Sequence, residues 1–114
     1  MTEIPPEYDV QAAERSALTA VAEADADPAV STFKALTDPL RIAVLRMLAV
    51  RTLCVCVLVD ILDVEYSKLS YHLKVLRDAE LVEMERDGNF AEYRLTERGE
   101  EIASLLDSVL AERG

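Results

Sequence analysis

Two apolar segments with almost nothing between them constrain this chain most. Val57 to Leu62 has the length and composition of a short apolar helix, and Asp63-Val64 leaves room only for a tight turn before the next segment. From Glu65 to Val82, Leu69, Leu73 and Leu76 recur at the spacing that lays side chains along one helical stripe. Ser67, Lys68, Ser70, Tyr71, Lys74 and Arg77 fall on other faces. Such a helix rests its leucines on a small core and presents hydroxyls, an aromatic ring and cations, the groups that meet phosphates and base edges of DNA. The pair reads as a helix-turn-helix whose second helix does the reading.

The flanks supply the scaffold. Asp38-Pro39 is an N-cap followed by a helix-starting proline, and Leu40 to Val50 is apolar apart from Arg41 and Arg46. Asp27-Pro28 repeats that signal as N-cap and first helical residue, with Val30, Phe33 and Leu36 expected on one face. Asp9 to Ala24 reads as an amphipathic helix through Val10, Ala13, Ala17, Leu18 and Val21, after a loose leader from Met1 to Tyr8. Downstream, Leu81 to Arg86 and Phe90 to Leu95 alternate around Asp87-Gly88-Asn89, which predicts a hairpin, or wing. Val82, Met84, Ala91, Tyr93 and Leu95 are expected to face the core, leaving Arg86 and Arg94 for phosphate. Thr96 caps a last helix with Ile102, Leu105, Leu106, Val109 and Leu110 in a stripe that nothing else in the chain fully covers. A symmetry mate is the expected cover. The fold class is therefore mostly α with a small β-hairpin, a winged helix-turn-helix dimerising through terminal helices. Residues 1–28 form an acidic leader and helix, and residues 29–114 the winged domain with its dimerisation helix.

At 114 residues the chain is one domain. Its net charge of -10 argues against a nucleic-acid partner until the distribution is examined. Residues 1–30 carry seven acids and one base, residues 83–114 nine acids and four bases, but residues 31–82 carry six acids and seven bases. The near-neutral block holds the reading helix, and Tyr66 to Arg77 has Lys68, Lys74 and Arg77 without a carboxylate. Three lysines, nine arginines, 22 acids and no Trp are the composition expected of an acidic protein adapted to high salt, where counter-ion release contributes less to DNA affinity. No run of about 18 apolar residues occurs, and Met1 to Ala20 lacks a basic start followed by an apolar block, so neither a membrane span nor a signal peptide is expected and the location is cytoplasmic. There is no nucleophile and base pair, no phosphate-binding glycine loop and no carboxylate dyad, so an enzyme is not expected.

Three phrases resemble the ArsR/SmtB family of metalloregulatory repressors. Ala35-Leu36-Thr37-Asp38-Pro39-Leu40-Arg41 is similar to its "ALxDPxR" phrase, Leu53-Cys54-Val55-Cys56 to its "LCVC" metal-site phrase, and Leu69-Ser70-Tyr71-His72-Leu73-Lys74-Val75-Leu76 to its "VSHHLKVL" recognition helix. The resemblance spans about residues 29 to 110 and implies a homodimeric repressor whose hold on a double-stranded DNA operator is released by a thiophilic ion. Two positions depart from it: Glu65 stands where the family has a helix-capping Ser, and Val57 where an acid follows the Cys pair. Glu65 is then either a cap or a specificity element accepting a hydrogen bond from a cytosine amino group.

Cys54 and Cys56 in an intracellular chain suggest thiol chemistry. On an ideal helix their side chains point roughly 200° apart, so sharing one ion requires unwinding the turn. As(III), Cd(II) or Pb(II) held by both thiolates would distort the helix that positions the reading head. The two reading helices of a dimer would then no longer match major grooves about 34 Å apart. Two other readings stand beside this one: both cysteines as small buried hydrophobes, or a thiol-oxidation sensor. Zn(II) wants four ligands and As(III) three, whereas the chain has no third Cys and its one His, His72, reads as a packing or DNA-contact residue. The last helix has no His, and carboxylates alone, such as Asp107 or Glu112, make a poor ligand set. No constitutive cofactor is expected. For the DNA interface, Ser67, Lys68 and Tyr71 are assigned to base edges, Ser70, Lys74, Arg77 and Arg86 to phosphates, and Tyr66 to either role. Competing functions are a redox-responsive or ligand-independent regulator and a protein-interaction winged helix that does not touch DNA.

Overall fold

The computed structural model describes residues 3–111, so Met1, Thr2 and Glu112, the last weighed above as a ligand, lie outside the described residues. A 3-10 turn at Pro6–Tyr8 precedes α1 (Ala12–Glu23), α2 (Asp27–Ala35), α3 (Pro39–Val50), β1 (Leu53–Cys54), α4 (Val55–Leu62), α5 (Tyr66–Asp78), β2 (Val82–Asp87), β3 (Phe90–Leu95) and α6 (Glu97–Ala111). The leader is thus partly ordered into a turn. α1 starts later than Asp9 because the Asp9 carboxylate accepts from the Val10 amide and from Arg15, both at 2.8 Å, which holds Val10 outside the helix. α2 starts one residue before the Asp-Pro phrase suggests, with Ala26 at the capping position and Asp27 already helical. It buries Thr32 and Ala35 and packs Leu36 against the core but leaves Val30 and Phe33 exposed, so only the C-terminal part of its expected apolar face meets this chain's own core.

α3 follows the sequence closely. The Asp38 carboxylate accepts from the Leu40 amide at 2.8 Å and Pro39 occupies the first helical position. Val44, Leu45 and Leu48 on its inner face join Leu58 of α4, Leu69, Leu73 and Leu76 of α5, Leu81 just before β2, and Val82, Ala91 and Tyr93 of the sheet in one core. Met84 is half-exposed at its margin, opposite Tyr93. The hairpin closes through Gly88-Asn89 between the paired residues Asp87 and Phe90, with Gly88 at φ 63°. A positive φ at the first of two turn residues suits glycine and matches the twist of the strands. The wing is wider than a hairpin. β1 pairs antiparallel with β3, Leu53 opposite Tyr93 and Cys54 opposite Glu92, giving the strand order β1-β3-β2. A two-residue strand is too short to carry the period-two signal by which strands are recognised.

The end of α5 and the start of α6 lock together. The Leu81 amide donates to Leu76 at 3.0 Å and the Glu80 amide to Arg77 at 2.9 Å, a Schellman closure with Glu80 at φ 62°. The Thr96 hydroxyl donates to the Glu80 carbonyl at 2.7 Å and accepts from the Gly99 amide at 2.9 Å, so it caps α6 and ties it to α5's exit. Gly99 packs directly over the Leu81 carbonyl. Farther along α6, Ile102 and Leu106 lean on the core while Leu105, Val109 and Leu110 stay exposed, and α1 buries none of its residues. No helix among the described residues is long and apolar enough to cross a membrane.

Candidate nucleic-acid interface and cysteine pair

α4 ends at Asp63, whose left-handed backbone (φ 52°, ψ 52°) turns the chain, and Val64 and Glu65 lead directly into α5. The short connection fixes α4 and α5 against each other, and Leu69, His72, Leu73 and Leu76 seat α5 on the core. Tyr66, Ser67, Lys68, Ser70, Tyr71, Lys74 and Arg77 are all exposed, with Tyr66 and Tyr71 both at 61%. Seven of the eight residues assigned to DNA from the sequence thus share one accessible helix. The eighth, Arg86, is exposed on β2.

The cations differ in how free they are. Lys74 pairs with Asp78 at 3.0 Å, one turn on, but both side chains are more than 60% exposed and such pairs contribute little and exchange readily. One Arg77 Nη lies 3.9 Å from the Met84 sulfur, which places its guanidinium at the root of the wing. Arg94, expected to be available for phosphate, is instead held at 2.9 Å by Glu83 and 2.8 Å by Glu85 on the neighbouring strand. The Glu85 hydrogen bond, then Glu83, raises the pKa of its guanidinium above the ordinary arginine value. At the other end of α5, the Glu65 backbone (φ -67°, ψ 144°) holds the capping position and its carbonyl accepts from the Leu69 amide at 3.1 Å. Its carboxylate makes no capping hydrogen bond, so the capping alternative fails for the side chain.

His72 is a packing residue, and the sequence gives no sign of its partner. An Nη of Arg41 donates to His72 Nδ1 at 2.8 Å while Arg41 Nε donates to the Ala35 carbonyl at 2.7 Å. Arg41 therefore binds the reading helix to the end of α2. Asp38 sits at the same junction; foremost the Leu40 amide, then the Arg41 backbone and guanidinium, lower its carboxyl pKa below the ordinary value.

The cysteines lie 2 residues apart with Cα atoms 5.2 Å apart, and their sulfurs are bonded to each other. The two cysteines do not sit on one continuous helix, because Cys54 has extended backbone (φ -64°, ψ 143°) and precedes α4 while Cys56 lies in its first turn. No unwinding is needed to bring both sulfurs to one point. The Cys54 sulfur also accepts from the Cys56 amide at 3.2 Å, which makes it the N-cap of α4. Cys54 is half-buried and Cys56 exposed, so the pair is reachable from solvent and is not simply core. Among the described residues no group of three or more His, Cys, Asp or Glu side chains is placed to hold a metal ion.

An exposed, cation-bearing second helix, a three-residue turn and a three-stranded wing define a winged helix-turn-helix DNA-binding protein. Residues 38–84 match the model of the bacterial regulatory protein arsR family. The arsenical resistance operon repressor of Bacillus subtilis is 44% identical over 79 residues, 68% of this chain and 73% of that protein. Among solved structures, HlyU from Vibrio cholerae superposes with a TM-score of 0.70 at 30% identity, over 76% of this chain and 96% of that one. A homodimeric winged helix-turn-helix DNA-binding domain from Mycobacterium bovis superposes with a TM-score of 0.70 at 25% identity, over 90% of each chain. The chain belongs to the ArsR family, whose members are DNA-binding transcriptional regulators and not enzymes.

Proposed function

We propose that the protein is a homodimeric repressor that holds an operator through residues 66–77 and Arg86 and lets go when Cys54 and Cys56 bind a thiophilic ion of the As(III), Cd(II) or Pb(II) class. The observation that carries this reading is the position of the cysteine pair. Cys54 ends β1, which is paired to the wing strand β3, and its sulfur caps α4, which leads through a three-residue turn into the reading helix. A ligand on both sulfurs competes with that cap and pulls on wing and reading helix at once. Two soft thiolates select soft ions. They leave at least one coordination position for a donor outside the pair, because As(III) takes three ligands. The relative from Bacillus subtilis named for arsenical resistance supports the metalloid class.

The test is fluorescence anisotropy of the reduced protein on DNA from its own upstream region. Arsenite is expected to weaken binding at least about tenfold, a loss of about 1.4 kcal/mol, and Cys54→Ser to remove the response while leaving binding intact. An arsenite response that persists in Cys54→Ser, or none in the wild type, removes the thiol site from the reading.

A second reading is favoured by the bonded sulfurs themselves. A disulfide has no thiolate to give an ion, so the oxidised form is blind to arsenite until reduced. Loss of DNA binding on oxidation with diamide, reversed by dithiothreitol and matched by no arsenite effect, makes the protein a redox regulator.

A further inference from the structure

We propose that Glu65 reads a cytosine, its carboxylate accepting a hydrogen bond from the N4 amino group in the major groove. The inference rests on the DNA-binding reading above and goes beyond it by giving one residue one base. Ser, Thr, Asp or Asn in the capping position folds its side chain back on the first amides of the helix, whereas the longer Glu leaves its carboxylate free to reach outward. Glu65 holds that position with its backbone but not with its carboxylate, which stays exposed and has no hydrogen-bond or salt-bridge partner among the described residues.

The ligand is set by the fold: in a docked helix-turn-helix the N-terminal residues of the second helix reach base edges. Exposed Ser67 and Lys68 lie on the same first turn as Glu65. A carboxylate is an acceptor and cannot donate. In the major groove guanine offers two acceptors, thymine an acceptor and a methyl group, and adenine an amino group beside the acceptor N7. Cytosine alone offers a donor without an adjacent acceptor. The positive end of α5 and the Lys68 ammonium offset the charge that phosphates would otherwise repel. The discrimination is therefore one of donor against acceptor at a single base edge.

Binding-site selection from random duplexes with the full-length reduced protein tests this, run in parallel with Glu65→Gln and Glu65→Ala. Circular dichroism checks that each variant folds, which exposure of the side chain leads one to expect. The wild type should enrich cytosine at one position of each half-site. Glu65→Gln should move that position to adenine, because an amide both accepts from N6 and donates to N7, and Glu65→Ala should lose preference there alone. On fixed duplexes, replacing that cytosine should weaken the wild type roughly 5- to 100-fold and Glu65→Ala less than about twofold. Three identical base profiles overturn the proposal, as does a Glu65→Ala protein that binds every sequence more tightly by the same factor, which would make Glu65 merely repulsive. Both of those outcomes leave the DNA-binding reading standing. A wild type that enriches no sequence at all overturns both.

Discussion

Arg41 lies on α3, yet its guanidinium serves two other helices. It donates to Ala35 at 2.7 Å and Lys34 at 3.4 Å at the end of α2, and to His72 on the reading helix at 2.8 Å. A guanidinium has no acceptor, so His72 Nδ1 takes this bond with its lone pair and the ring hydrogen sits on Nε2. His72 is 7% exposed, and no water can replace the partner at low cost. His72→Leu leaves a guanidinium N–H unmatched and should cost about 1–3 kcal/mol in denaturant unfolding. Arg41→Lys should weaken DNA binding for all sequences alike, because a single ammonium cannot span the two helices in the planar geometry of the fork. If Arg41→Lys binds the upstream DNA as the wild type does, the pose of α5 is set by the leucines alone. The sequence shows Arg41 only as a polar interruption of an apolar helix and His72 only as one of several residues among the leucines. Their pairing spans 31 residues, and local periodicity carries no information over that range.

At the scale of elements, the parts with strong local signals were legible and the parts made by tertiary pairing were not. The helix-turn-helix, the Asp38-Pro39 start of α3, the Gly88 turn and the Thr96 cap each follow from residues within a few positions of one another. β1 was not legible, because Leu53-Cys54 becomes a strand only by meeting Tyr93 and Glu92 some forty residues on. That one omission is why spacing set the cysteines on opposite sides of a helix when the chain in fact places them together. The junction of α5, the wing and α6 is likewise a contact between distant residues, and it makes Gly99 indispensable in a way its surroundings in sequence do not announce. A Cβ at Gly99 collides with the backbone carbonyl of Leu81, which accepts from the Thr96 amide at 3.1 Å and cannot swing aside like a flexible side chain. Gly99→Ala should therefore push α6 off the sheet and destabilise the fold by about 1–3 kcal/mol. Thermal melting measures it; an unchanged midpoint would show that α6 shifts freely. Since α6 also carries exposed Leu105, Val109 and Leu110, the same variant should weaken self-association, measurable by sedimentation equilibrium.

Over the whole molecule, 22 acids against 12 bases set folding and DNA binding against each other in their response to salt. Along the chain the acidic excess lies in the first 30 residues and from residue 83 onward, outside the block that carries the cations of α5. The wing itself is not a basic arm: Glu83, Glu85, Asp87 and Glu92 outnumber Arg86 and Arg94, and Arg94 is already paired with two of them. Salt screens the repulsion among these acids, so the melting temperature should rise as KCl is raised from about 0.1 M toward 1 M, where the Debye length falls from about 10 to 3 Å. DNA affinity should fall over the same range. With Lys74, Arg77 and Arg86 on phosphates in each protomer, a dimer neutralises about six and log K against log salt has a slope near about -5. If Lys74 instead stays with Asp78 in the complex, about four remain and the slope is near about -3.5. Asp78→Ala separates the two: it leaves the first slope unchanged and steepens the second by about 2. Arg86→Ala should flatten either slope by about 2, one cation from each protomer, and lower affinity without altering base preference. A slope near zero would mean that the acidic bulk prevents phosphate contact altogether, and in that event the exposed cations of α5 must be facing a partner other than DNA.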